Sequence, residues 1–228
     1  MDILGHGVYD ISEAARFTGL KPARVREWFR GWSSDPIPHR VFRGDYAGVA
    51  AGHSISFLEL VEVFVAGYLR KHGVRLRSIR RAHARLQDDW ETRHPFARGE
   101  IRADGENVFV SALDGRERQI VSEAITKSQV FERIILPTLE KIDYDPASKL
   151  ATKRHLSPLV VLDPRICFGQ PIVEPVAITT YVLAAFYLAN GRNAKTVANW
   201  YEIEEEHVMA AVEFETLSDR DVRRLARA

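Results

Sequence analysis

The stretch ISEAARFTGLKPARVREWFRG, residues 11–31, decides how this chain is read. Ile11, Ala14, Ala15 and Phe17 recur at helical spacing, and Ser12 is a residue type that caps the start of a helix. Gly19 can take the positive φ that ends a helix sharply, and Pro22 suits the first position of the next one. The second helix is predicted to bury Val25, Trp28 and Phe29. Lys21, Arg24, Arg26 and Arg30 then remain outside, with Arg16 on the first helix and one acid, Glu27. Two short helices joined by a glycine turn form the helix-turn-helix pattern, and a groove lined by phosphates selects cations on the second helix. Arg24 and Arg26, near its start, are the expected groove contacts; Lys21 and Arg30 are the expected phosphate contacts.

The fragment RVFRGDYAG, residues 40–48, reads as a short strand with a Gly-Asp turn where a wing would lie, and it adds Arg43 to the DNA-facing set. Residues 55–73, ISFLELVEVFVAGYLRKHG, make a strong helix: Ser56 and Glu59 match a capping box, and Gly73 can end it. So apolar a helix belongs in a core or at a dimer interface. Val74, Leu76, Ile79, Ala82 and Leu86 then mark a basic amphipathic helix running to about Thr92. From Val63 to Gln87 there is no acid, whereas Arg70, Lys71, Arg75, Arg77, Arg80, Arg81 and Arg85 all fall there. That run is either the solvated outside of a dimer or an auxiliary phosphate surface.

Two alternating segments, EIRADG (residues 100–105) and NVFVSALDG (residues 107–115), each end in Asp-Gly and predict a hairpin. Helix is expected again over residues 129–142, broken or kinked at Pro137. DYDPASK, residues 143–149, looks like a boundary, dividing the chain into domains 1–148 and 149–228. Beyond it, LVVLDPRICFGQPIVEP (residues 159–175) gives a buried strand, a proline turn and a second strand around Ile172. Helices follow at residues 179–190, 194–201 and 205–215. The tail SDRDVRRLARA, residues 218–228, is charged.

Laying Ala15 over Ala198 without gaps matches Phe17 with Trp200, Leu20 with Ile203, Val25 with Val208 and Phe29 with Val212. The same two-helix frame therefore recurs near the end, but with Glu202, Glu204, Glu205 and Glu206 outside. Only the first copy suits a polyanion; the second suits a protein surface.

At 228 residues, 46% hydrophobic and 28% charged, the chain is of ordinary globular composition and long enough for two modest domains. Its net charge of +1 hides an asymmetry: residues 1–94 hold 15 Lys and Arg against 11 Asp and Glu, residues 95–228 hold 17 against 20. No leader precedes Ser12, and the longest apolar run, residues 176–189, is short for a bilayer, so the cytoplasm is the expected address. The single cysteine, Cys167, excludes an internal disulfide and a multi-cysteine zinc site and is expected to be a buried, inert thiol.

His53, His72, His83 and His94 lie too far apart for a helical metal pair. Asp143 and Asp145 read as turn residues, and Glu206 and His207, adjacent on a helix, point to different faces. No glycine-rich phosphate loop is present. Catalytic residues, metal ligands and cofactors are therefore not expected, and the chain does not read as an enzyme.

Residues 11–29, the wing fragment and ISFLELVEV together resemble the MerR-like winged helix-turn-helix family, in which the segment after the wing leads towards dimerisation. The later part is similar to a small bacterial domain common in antitoxin-like proteins. The similarity rests on Asp163, Pro164, Gly169, Pro171, Ile172 and Val173, then Val197, Ala198, Tyr201, Ile203, Val208, Ala211 and Val212. It departs at Glu174-Pro175-Val176, where that domain usually has Arg-Gly-Thr.

The pairing of the two looks like a VapB-type antitoxin. The resemblance implies a PIN-domain ribonuclease toxin as partner, operator double-stranded DNA as a second ligand, and a homodimer that reads two half-sites. It also gives Arg220, Arg223, Arg224 and Arg227 a role against the toxin's metal-binding carboxylates, the alternative being a solvated tail. A stand-alone MerR-like regulator with a sensing C-terminal domain is the runner-up; an adaptor using both helical pairs to dock proteins is the third reading. The expected fold is mainly α with small β elements: a winged helix-turn-helix domain and a small α+β domain holding the second helix-turn-helix-like unit.

Overall fold

A computed structural model describes residues 5–30, 40–46, 54–71, 73–113, 115–116, 118–119, 121–122 and 136–216, side chains at 103–105 excepted. The fold is mainly helical with one small antiparallel sheet. Helix α1, Ile11–Thr18, starts at Asp10 rather than at Ser12. The Asp10 carboxylate accepts from the Ser12 and Glu13 amides, and Glu13 returns the bond to the Asp10 amide. Two residues earlier than expected, this places a full carboxylate at the positive end of the helix, where it does more than a hydroxyl. Gly19 ends α1 at φ 72°, and α2, Pro22–Arg30, begins at the proline.

Helix α3, Phe57–Lys71, runs through the centre, and every residue from Leu60 to Leu69 is buried. It is a core helix of the single chain. Its capping box is formed as expected, with the Ser56 amide donating to Glu59 Oε2 at 2.9 Å. Gly67 leaves the space on α3 that Leu20 fills; a Cβ there would lie 2.9 Å from Leu20 Cδ1. Helix α4, Leu76–Asp89, buries Ile79, Ala82 and Leu86 beside it.

Residues 100–115 do not form the predicted hairpin. Helix α5, Gly99–Ser111, covers most of them. Ile101, Phe109 and Leu113 enter the core at spacings of whole helical turns, and that burial overrides the Asp-Gly turn signal. The helix predicted up to residue 142 also stops early: α6, Leu136–Leu139, carries Pro137 in its first turn, and Ile142 already belongs to strand β1, Ile142–Tyr144. Residues 129–135 of that expectation lie outside the described residues.

The sheet is a meander in the order β1-β2-β3-β4-β5, each strand antiparallel to the next. Its other members are β2, Ala151–His155; β3, Val160–Leu162; β4, Pro171–Val173; and β5, Ile178–Thr179. The turn held by Asp145, whose carboxylate accepts from the Ala147 and Ser148 amides, links β1 to β2. The expected boundary at 148 therefore falls inside a hairpin of this sheet. Helices α7, Thr180–Ala189, α8, Ala194–Tyr201, and α9, Glu205–Thr216, complete the chain close to where the sequence puts them.

One hydrophobic cluster runs from Tyr9 and α1 through α3 to Ile142, Val160, Leu162 and Phe214; a second, smaller one joins Val173, Leu183, Val197, Ala198, Val208 and Ala211. Polar bonds fasten the first helices to the sheet half. Arg154, 2% exposed on β2, donates to the Phe17 carbonyl at 3.1 Å, and Tyr9 Oη donates to the Gly169 carbonyl at 2.9 Å. Gly169 has φ 81°, and a Cβ at that site would strike the Tyr9 phenol. Gly169→Ala is expected to cost about 2–4 kcal/mol through backbone strain and overpacking. Urea denaturation checks this, and an unchanged midpoint would contradict the packing described.

Candidate nucleic-acid interface

The outer face of α2 follows directly from its inner one. Val25 and Trp28 are fully buried and Phe29 packs against Phe42, which leaves Lys21, Arg24, Arg26 and Arg30 exposed around that buried stripe. Arg24 meets Glu27 at 3.6 Å across an exposed i, i+3 contact, a pair too solvated to hold the guanidinium in place. Arg16 is placed differently. It is half-buried, with its guanidinium 6.0 Å from the centre of the Phe17 ring and 5.6 Å from that of Phe214 on α9.

Residues 40–46 form no strand. The Val41 and Phe42 amides both donate to the Trp28 carbonyl at the end of α2, so they are unavailable to a strand partner, and the chain turns at Gly44. Arg43 is exposed on this loop, while Phe42 and Tyr46 beside it are buried. Residues 47–48 of the expected wing, and Arg220, Arg223, Arg224 and Arg227, lie outside the described residues.

A polar network fixes the Arg43 loop. Asp45 accepts from Ser56 Oγ at 2.6 Å, meets His94 Nε2 at 3.2 Å and pairs with Arg93 at 2.9 Å. His94 Nδ1 lies 3.1 Å from Glu62, which also holds His83 Nε2 at 2.9 Å and accepts from the Phe96 amide. The His83 ring then packs edge-on against Phe42, closing the circuit on the loop where it began. Asp45, Glu62, His83, Arg93 and His94 line a cleft of about 440 Å³. Among the described residues no group has the arrangement needed to hold a metal ion.

The network sets its own protonation. Burial alone would raise the carboxyls of Asp45 and Glu62, but their bonds to the histidines outweigh it and hold both below their ordinary values. Burial opposes charge on His94 too, yet Asp45 and Glu62 push it up to about 10. Glu59, desolvated and close to Asp45, is pushed up to about 7.

The second helical pair repeats the first at its turn. Glu202 ends α8 at φ 54° with its amide on the Ala198 carbonyl, as Gly19 ends α1 with its amide on Ala15. Asn193 caps α8 where Asp10 caps α1. Val25 and Val208 are both buried; Phe17 and Trp200 are not equivalent. Phe17 is sealed against Tyr9, whereas Trp200 is 66% exposed, touching Phe186 at the surface. Cys167 is exposed, contrary to the expectation of a buried thiol, because it and Phe168 form a tight turn at positive φ above Gly169. Asp163 is buried, like Pro164, Gly169 and Pro171 of its motif, and its carboxylate accepts from the Arg165 amide and guanidinium just ahead of that turn.

Residues 160–214 match a family described as "Protein of unknown function (DUF433)". Over 188 residues the chain is 23% identical to the protein named "Putative antitoxin VapB45" of Mycobacterium tuberculosis, covering 73% of this chain and 77% of the relative. It is also similar in fold to the X-ray crystal structure of RV2018 from Mycobacterium tuberculosis, with a TM-score of 0.63 and 21% identity over 90% of this chain and 96% of that one. No helix among the described residues is long and apolar enough to cross a membrane.

The loop network makes stability depend on pH with a definite sign. His94 binds its proton more tightly folded than unfolded, so its contribution is complete below its ordinary 6.5 and is lost as pH rises towards 10. Glu59 acts in the same direction between 4.5 and 7, while Asp45 and Glu62 contribute above the ordinary carboxylate range and are lost on acidification. His94→Ala is expected to cost about 3 kcal/mol near neutrality by uncovering buried carboxylates. It should also remove most of the alkaline decline; a wild-type stability profile that stays level up to the folded His94 value would refute this assignment.

Proposed function

We propose that this chain is the antitoxin of a type II toxin–antitoxin pair. In this reading it neutralises a PIN-domain ribonuclease by binding it, and it represses its own operon as a homodimer through a MerR-like helix-turn-helix formed by α1 and α2. The observation that carries the DNA-binding part is the set of exposed cations on α2, a helix anchored in the core by Val25 and Trp28. Phosphates lining a groove attract these cations, and the first turn of α2 brings Arg24 and Arg26 to base edges while Lys21, Arg30 and Arg43 grip the backbone. Arg16 contributes through the local field and through its packing on Phe214. The name of the relative in Mycobacterium tuberculosis supports the antitoxin part.

Neutralisation can be supplied by Arg220, Arg223, Arg224 and Arg227, which are suited to pair with the carboxylates that hold a nuclease's metal ions. The cytoplasm is the compartment in which such a pair works, and no catalysis is asked of this chain.

Arg24→Glu with Arg26→Glu is expected to abolish a gel shift on the operon's own promoter DNA while circular dichroism and melting stay as in the wild type. Wild-type binding itself should weaken by roughly 0.9 log units per log unit of salt for each phosphate neutralised. Deleting residues 217–228 should release the ribonuclease encoded in the neighbouring reading frame from inhibition. Full inhibition by the truncated chain would remove the tail from the mechanism.

A further inference from the structure

Helix α7 breaks the rule that a helix apolar all round is a buried one. Its sequence, TYVLAAFYLA, has no charged residue, and only one side of it is covered: Thr180, Leu183 and Ala184 are buried. The other side faces water. Tyr181 is 73% exposed and Leu188 62% on one flank of this side, and on the other flank Phe186 meets Trp200 of α8, 6.2 Å away between ring centres. Of the six large hydrophobic residues exposed among the described residues, five lie on α7, α8 and α9. An exposed apolar surface of this kind, rich in Tyr and Trp, has the composition of an interface centre.

The rim identifies the occupant. Trp200 is followed by Glu202, Glu204, Glu205 and Glu206, all exposed, against which Arg192 and Lys195 supply the nearby cations. An acidic rim repels nucleic acid. A second copy of this chain, docked symmetrically, would have only Arg192 and Lys195 nearby to set against these four glutamates. An enzyme that handles RNA presents the opposite surface: cations that track phosphates beside faces on which bases stack.

We propose that the α7–α9 face docks on the RNA-binding surface of the partner ribonuclease, its glutamates taking the place of phosphates and Tyr181, Phe186 and Trp200 the place of bases. This inference rests on the antitoxin reading and names a surface of the toxin that the arginine-rich tail does not reach by charge. Inhibition then works by denying RNA its landing surface, whatever the tail does at the metal site.

The test uses the full chain and a catalytically inactive form of the ribonuclease encoded beside it, with affinity read by calorimetry. Tyr181→Ala with Trp200→Ala is expected to weaken the complex at least 100-fold, as the loss of two aromatic anchors does. Glu204→Lys with Glu205→Lys and Glu206→Lys should weaken it and flatten its dependence on salt. A single-stranded RNA oligonucleotide should compete with the antitoxin for the enzyme. These side chains are exposed, so unchanged melting and an intact promoter gel shift confirm that the variants are folded.

Wild-type affinity in both variants, or RNA that binds alongside the antitoxin without competing, overturns the inference and leaves the antitoxin reading standing. So does a variant that turns a dimer into a monomer in sedimentation while toxin affinity stays the same, because the face would then belong to a second copy. If the unmodified chain does not bind the ribonuclease at all, the antitoxin reading fails and the inference with it.

Discussion

The position of the first two helices depends on one buried cation. Arg154 rises from β2 into the main core, donates to the last-turn carbonyl of Phe17 and lies 5.2 Å from the centre of the Phe64 ring on α3. Burial draws its pKa down to about 10, partly countered by Tyr68 and Tyr9, so it remains charged at neutral pH. A positive charge at the C-terminal end of a helix and over an aromatic face is favourable on both counts. Because α1, α3 and β2 meet at this one guanidinium, the angle at which α2 is presented is set by the sheet. The two-helix unit is therefore not a separate module hung on the front of the chain; Tyr9, Gly169 and Gln170 lock its entry in the same way.

Much of this architecture was legible where local chemistry and burial agree. Gly19, Pro22, the Ser56–Glu59 box and the three final helices all satisfy local rules, and the structure keeps them. The matched spacing of Ala15 with Ala198 held down to the left-handed residue closing each first helix, although one is a glycine and the other a glutamate. The sequence misled where two periods fit the same residues. Residues 100–115 alternate well enough for strands, yet Ile101, Phe109 and Leu113 also share a helical stripe, and only the core to be filled decides between them. Asp10 outcompeted Ser12 as the cap for a similar reason: both are good cap residues, but only Asp10 has a glutamate three positions on.

The cations of α2 could be read from the chain because an exposed face needs no partner to be recognised. The network beneath the Arg43 loop could not. Asp45, Glu62, His83 and His94 are scattered along the sequence, and only the packing of α3 against α4, with the Asp45 loop and the segment after α4 folded onto them, brings them within hydrogen-bonding distance. The available signal was narrower: Glu59 and Glu62 are acids inside an otherwise apolar helix, and a buried carboxylate must find donors somewhere. The apolar outside of α7 was visible as a run of hydrophobic letters, but its exposure depends on how little of it the sheet and α9 cover.

The bonds that seat the first helices have a bearing on the order in which the molecule is built. Tyr9 reaches a partner 160 positions away in the chain and Phe17 one 137 away, whereas each strand of the meander pairs with its immediate neighbour. As the polypeptide leaves the ribosome, α1 and α2 emerge ahead of β2 but cannot be seated until its residues and the Gly169 turn have followed. Closing such distant contacts is the slow part of assembly, while the sheet can zip locally. The cationic surface of α2 is thus synthesised before the strand that seats it and is among the last parts to be finished.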